Sequence, residues 1–108
     1  MSFDVSTIGD HRVIGCAGAL DLSSLPRLSD LLDRHVGVDR SVVLDLDGIT
    51  VIDATTAGVL IAAAHRQRES TKRLTVVCSS PAIRERLTRL GLADAIPLVS
   101  SIHDIASA

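Results

Sequence analysis

Residues 41–67, SVVLDLDGITVIDATTAGVLIAAAHRQ, limit the fold more than any other part of the chain. Val42, Val43 and Leu44 form a continuous apolar run, the pattern of a strand covered on both faces. Asp47-Gly48 reads as a turn and residues 49–52 as a further extended stretch. Asp53 then opens a long helix of small residues. A buried strand leading into a helix is the skeleton of a βαβ unit, which needs a second, parallel strand after the helix. The apolar run at residues 73–78 supplies it. In such units functional groups gather where strand ends meet helix starts, which points to Asp53, Thr55 and Thr56.

The remaining elements follow from periodicity and punctuation. Residues 3–8 alternate apolar and polar, Gly9-Asp10 is a turn, and residues 11–17 return as a second strand, together a β-hairpin. Residues 18–22 are expected to leave the sheet. Ser23-Ser24 offers a cap and Pro26 a first helical turn, with Leu25, Leu28, Leu31, Leu32 and Val36 on the buried side and Gly37 as the stop. The second helix is expected over residues 54–69. Ser80-Pro81 starts a third, with Ile83, Leu87 and Leu90 inward and Gly91 at its end. A last strand over residues 95–99 and a short helix capped by Ser100 or Ser101, carrying Ile102 and Ile105, complete the chain. The expected fold is a single α/β domain spanning residues 1–108, its mixed sheet (hairpin plus parallel strands) packed with about four helices.

Composition removes several function classes. Phe3 is the only residue among Phe, Trp and Tyr, so the core must be built from Leu, Ile, Val and Ala, and base stacking has no material. A formal net charge of −2 argues against nucleic acid as a partner. The basic residues between 66 and 73 and between 84 and 89 read as solvated helix faces. Cys16 and Cys78 lack zinc or redox spacing and sit in apolar runs, as buried free thiols do; a redox switch is the alternative. The four histidines (His11, His35, His65 and His103) are scattered without metal-ligand spacing. No phosphate loop, dinucleotide fingerprint, zinc-protease motif or nucleophile elbow occurs, and neither metal nor cofactor is expected. A receiver-domain reading of Asp45, Asp47 and Asp53 fails because no acidic pair follows the first strand and no Lys follows a later one. No apolar run reaches membrane-spanning length and the N-terminus lacks a signal-peptide pattern, so a cytoplasmic protein without membrane contact is expected.

What remains is the start of the second helix. Asp53 can accept from the N–H of Thr55 or Thr56, and Ala54, Thr55, Thr56, Ala57 and Gly58 leave nothing large to hold a partner's backbone away. Thr is a mediocre helix former, and an interior Gly costs about 1 kcal/mol relative to Ala. A phosphate on Thr55 or Thr56 would meet unpaired N–H groups while adding roughly −1.5 to −2 charge to the surface. The plainer reading is a capped helix whose small residues pack closely on the sheet. An anion- or nucleotide-binding pocket at Asp53 and Asp21 is a third, disfavoured by the missing aromatics and the scattered histidines.

Two segments resemble a known family. VIGCAGALDL at residues 13–22, with Pro26 and Leu28, is similar to the G-E-L-D strand and turn of the STAS domain. LDLDGITVIDATTAGVL at residues 44–60 is similar to that family's D-L-S-G-V-x-x-I-D-S-S-G-L-G-V-L signature. The resemblance covers essentially the whole chain, and at this size it points to a bacterial anti-sigma factor antagonist. Such a protein docks on an anti-sigma factor, usually a serine kinase of the histidine-kinase-like ATPase fold, and frees a sigma factor for transcription. Phosphorylation of a serine just after the motif aspartate releases it. The resemblance implies an interaction protein rather than an enzyme, a monomer or weak homodimer. Its partner-binding residues fall on Asp21, Asp53, Ala54, Thr55, Thr56 and Gly58. Ala54 stands where the family's phosphorylated serine belongs and Thr56 where its first motif glycine belongs, while Asp53, Asp21 and Gly58 match. Three expectations stay open: phosphorylation moved to Thr55 or Thr56, an unphosphorylated antagonist controlled otherwise, or an interaction module in another signalling complex.

Overall fold

The computed structural model describes residues 2–36, 40–67 and 73–106. Strands β1 (Ser2–Ile8) and β2 (His11–Leu20) form the expected hairpin, with Ile8 opposite His11. Gly9 at φ 58° takes the left-handed position that a two-residue hairpin turn requires. Helix α1 (Leu25–His35) follows, then β3 (Ser41–Ile52), α2 (Ala54–Gln67) and β4 (Leu74–Val77). The chain ends with α3 (Pro81–Arg89), α4 (Leu92–Ala95), β5 (Leu98–Val99) and α5 (His103–Ala106). The five strands lie in chain order, and every pairing after the β1–β2 hairpin is parallel.

Strand alternation divides the core in two. Ile14, Leu44 and Val76 join Leu28, Leu32, Leu60, Ala63, Leu87 and Leu92 in the main cluster, under α1–α4. Their chain neighbours Val13, Val43 and Val77 face the other way and pack with Val99, Ile102 and Ile105, so α5 covers that side. The central strands are thus covered on both faces, as their apolar runs require. No helix among the described residues is long and apolar enough to cross a membrane.

Several local expectations needed correction. Asp47-Gly48 is not a turn, because β3 runs unbroken from Ser41 to Ile52. The pairing steps from Gly15↔Asp45 to Ala17↔Gly48 and from Gly18↔Ile49 to Ala19↔Val51, so β3 spends two more residues than β2 over this length. Gly48 permits the irregularity, since a Cβ there would lie 2.9 Å from the Cys16 carbonyl oxygen. β2 correspondingly continues to Leu20 instead of leaving the sheet near Gly18, which takes φ 97° at the second shift. Ala95 belongs to α4, and the last strand is only Leu98–Val99. Ser24 occupies the α1 cap position without capping it. Its hydroxyl lies 3.0 Å from the Asp21 carbonyl and 3.2 Å from that of Ala19, and accepts from the Asp21 N–H at 3.1 Å. The Gly37 stop and the extension of α2 to residue 69 lie outside the described residues.

Other signals behave as expected. The Ser80 hydroxyl accepts from the Ile83 N–H at 3.4 Å, and Gly91, at φ 87°, ends α3. The buried Gln67 amide at the end of α2 donates to the carbonyls of Arg40 at 3.0 Å and Arg73 at 3.3 Å. It thereby ties together the chain entering β3 and the chain entering β4.

Candidate functional site

The carboxyl ends of β2 and β3 bring the candidate residues together. The Asp53 N–H donates to the Leu20 carbonyl at 3.2 Å, which fixes the start of α2 beside the Asp21 loop. The Asp53 carboxylate accepts from the Thr56 N–H at 2.8 Å, the N-cap expected from sequence. Asp21 is shaped by its own loop: its carboxylate accepts from the Ser23 hydroxyl at 2.6 Å and the Ser23 N–H at 3.0 Å. These bonds, the hydroxyl first, hold the Asp21 carboxyl below its ordinary pKa and keep it charged. Arg86 of α3 reaches the same corner, its Nε donating to the Ile52 carbonyl at 3.4 Å.

Exposure sorts the α2 residues. Ala54, Thr55 and Gly58 are exposed and Asp53 is half-buried. Gly58 stands four residues after Ala54 and three after Thr55, so the three share one face. A Cβ at Gly58 would meet nothing within 4 Å, so packing inside this chain does not require glycine. Thr56 differs. It is fully buried, and its Oγ1 has no hydrogen-bond partner. A kinase cannot reach that hydroxyl while α2 is folded, which removes Thr56 from the accessible contact and modification residues and leaves Thr55.

Two apolar residues at this corner escaped the sequence reading. Leu22 in the Asp21 loop is 65% exposed, and Val51 near the end of β3 is 49% exposed. The available signal was an apolar Leu22 between Asp21 and Ser23, in a loop where solvent favours polar side chains. Leu22 lies in the loop after β2, and Val51 pairs with Ala19 near the carboxyl end of β3.

The cysteines lie elsewhere. Cys16 and Cys78 are free and buried. Burial, then the charges of Asp45 and Asp4, push the Cys16 thiol up to about 12, and burial also raises Cys78. A thiol held neutral is a poor nucleophile, which counts against the redox reading. Among the described residues no group of three or more His, Cys, Asp or Glu is placed to hold a metal ion.

The STAS domain family model matches residues 2–105. This chain belongs to the STAS domain family. Its fold is shared with an anti-sigma factor antagonist from Mycobacterium paratuberculosis, at 21% identity over 98% of this chain and 91% of that one, with a TM-score of 0.87. An anti-sigma-factor antagonist (STAS) domain protein from Planctomyces limnophilus is 18% identical over 98% of this chain and 97% of its own, with a TM-score of 0.81. The unphosphorylated form of the anti-sigma factor antagonist SpoIIAA, a Bacillus cell-fate determinant, is 13% identical over 98% and 94%, with a TM-score of 0.74. No curated protein matches by sequence. The fold is therefore that of the STAS anti-sigma factor antagonists.

Proposed function

We propose that this STAS domain is an anti-sigma factor antagonist that docks through the start of α2 and the Asp21 loop. The partner is an anti-sigma factor, in this reading a serine kinase of the histidine-kinase-like ATPase fold, and docking frees a sigma factor for transcription in the cytoplasm. The observation that carries the reading is the exposed Ala54–Thr55–Gly58 face, fixed beside the charged Asp21 loop by the Asp53–Leu20 hydrogen bond. It has the composition of a contact surface that admits another backbone closely.

Control centres on Thr55. Ala54 carries no hydroxyl and the Thr56 hydroxyl is enclosed, whereas Thr55 is exposed at the helix start. A phosphate there would gain from the helix dipole while placing charge beside Asp53 on the contact face. The protein stays folded and loses its partner.

The test is incubation with ATP and the cognate kinase followed by mass spectrometry, alongside binding by Thr55→Glu and Asp21→Ala. A single phosphate on Thr55 is expected, with Thr55→Glu losing tenfold or more in affinity and melting within about 2 °C of the parent. Unmodified Thr55 would remove the phospho-control. Unchanged binding by both variants would remove the docking surface.

A further inference from the structure

The sheet has two free edges, and they differ. β5 offers only Leu98–Val99, whereas β1 offers the whole of Ser2–Ile8, paired with β2 without a register shift. Proteins protect strand edges from other chains with short strands, bulges, prolines or lysines, and β1 has none of these. Its one charged residue, Asp4, turns inward, its carboxylate lying over Gly15 of β2 where an added Cβ would collide with it. Every β1 residue except Phe3 is exposed, Val5 by 38% and Ile8 by 46%. On the helix side a groove of about 200 Å³, lined by Phe3, Val5, Arg27, Leu31 and Arg34, stays open between β1 and α1.

Ile8 and His11 flank the two-residue turn, where a hairpin forms a hydrogen-bonded pair. Alternation along the strand then directs the N–H and C=O of Ser2, Asp4, Ser6 and Ile8 toward β2, and those of Phe3, Val5 and Thr7 outward. These three residues present their backbone donors and acceptors along the free edge. The segment is also rich in the β-branched and aromatic side chains that suit a strand: Phe3, Val5, Thr7 and Ile8.

We propose that β1 pairs antiparallel with β1 of a second copy, joining two five-stranded sheets into one about a two-fold axis at Val5. The strand itself sets the register. Phe3, Val5 and Thr7 must meet their counterparts, since only they carry free backbone groups. Centring on Val5 pairs all three, Val5 with Val5 and Phe3 with Thr7 in both directions, and each such pair exchanges two hydrogen bonds. It also sets Asp4 of each copy opposite Ser6 of the other, a hydroxyl facing a carboxylate. Moving one step so that Phe3 meets Val5 places Asp4 directly against Asp4, which like charges oppose. Moving the other way, to pair Val5 with Thr7, leaves Phe3 without a partner. The contact is isologous, and the β5 edges that remain are too short to extend it, so assembly stops at the dimer.

Sedimentation equilibrium of the intact protein between about 5 and about 500 µM, at about 20 mM salt, tests this. A reversible dimer dissociating in the micromolar range is expected, because one strand edge makes a small interface. Val5→Lys sets two ammonium groups against each other at the axis, and Ser6→Asp sets a second carboxylate opposite each Asp4. Each should weaken dimerisation tenfold or more. The double variant Asp4→Asn with Ser6→Asp removes the clash and should return to within about threefold of the parent. All three side chains are exposed in the monomer, so melting of dilute protein should be unchanged. Thr55→Glu should dimerise as the parent does, which keeps this proposal separate from the one at α2. A monomer throughout the range, or single variants that dimerise like the parent, would overturn the edge pairing. Failure of the double variant to recover would overturn the register centred on Val5, and species that keep growing with concentration would overturn the closed dimer.

Discussion

Gly58→Ala should make this protein more stable and less able to bind. Glycine in the interior of a helix costs about 1 kcal/mol relative to alanine, because the unfolded chain has more freedom to lose. That cost is usually kept when a side chain would collide with something. Here an added Cβ meets no heavy atom within 4 Å, and the backbone is not among the positive-φ glycines. The substitution should therefore recover about 0.4–1 kcal/mol. For a domain of this size that raises the melting temperature by about 2–8 °C in calorimetry. Against the anti-sigma partner, the added methyl should hold the backbone away from the Ala54–Thr55 face and lower affinity several-fold. Gly58→Gln should lower it further. A fall in melting temperature would refute the packing argument. Higher stability with undiminished binding would show that the contact surface excludes this face of α2.

Three further outcomes follow from individual side chains. Thr56→Val removes a buried hydroxyl with no partner and should stabilise by about 1 kcal/mol in urea unfolding; a loss of that size would mean the hydroxyl is bonded. Gln67→Leu should cost about 2 kcal/mol, because the Arg40 carbonyl loses the Gln67 donor and the Arg73 carbonyl keeps only the Val42 N–H; a neutral result would show that solvent replaces it. Moving the Cys16 thiol from 9.0 to about 12 favours the folded state by as much as about 4 kcal/mol. That stability is fully present below about pH 9 and lost as pH rises through about 12. With no Tyr in the chain, denaturation at pH 8–11 reads the thiols with little interference, and Cys16→Ala should flatten the fall. An equally steep fall in Cys16→Ala would refute the assignment.

The residues that could be read without coordinates are those whose signal is local. The apolar runs of β3 and β4, the Asp53 and Ser80 caps, the Gly9 turn and the Gly91 stop each depend on chemistry within a few residues. They appear where the sequence places them. Asp47-Gly48 misled because a glycine needed for close approach to Cys16 looks the same as one needed for a turn. Ser24 misled because a cap-forming hydroxyl also bonds the loop behind it, and the Asp21 loop offered closer partners.

Sequence by itself determined the types of the main elements, though not α4 or the continuation of β3 through Gly48, together with the family and the corner where α2 begins, because periodicity, capping and the two motif segments are written along the chain. Tertiary structure alone separated Thr55 from Thr56, neighbours with the same side chain. A helix turns about 100° per residue, and that rotation puts one hydroxyl in solvent and the other in the core. It alone set the Asp21 loop beside Asp53, segments distant in the chain that meet where the Asp53 N–H bonds the Leu20 carbonyl.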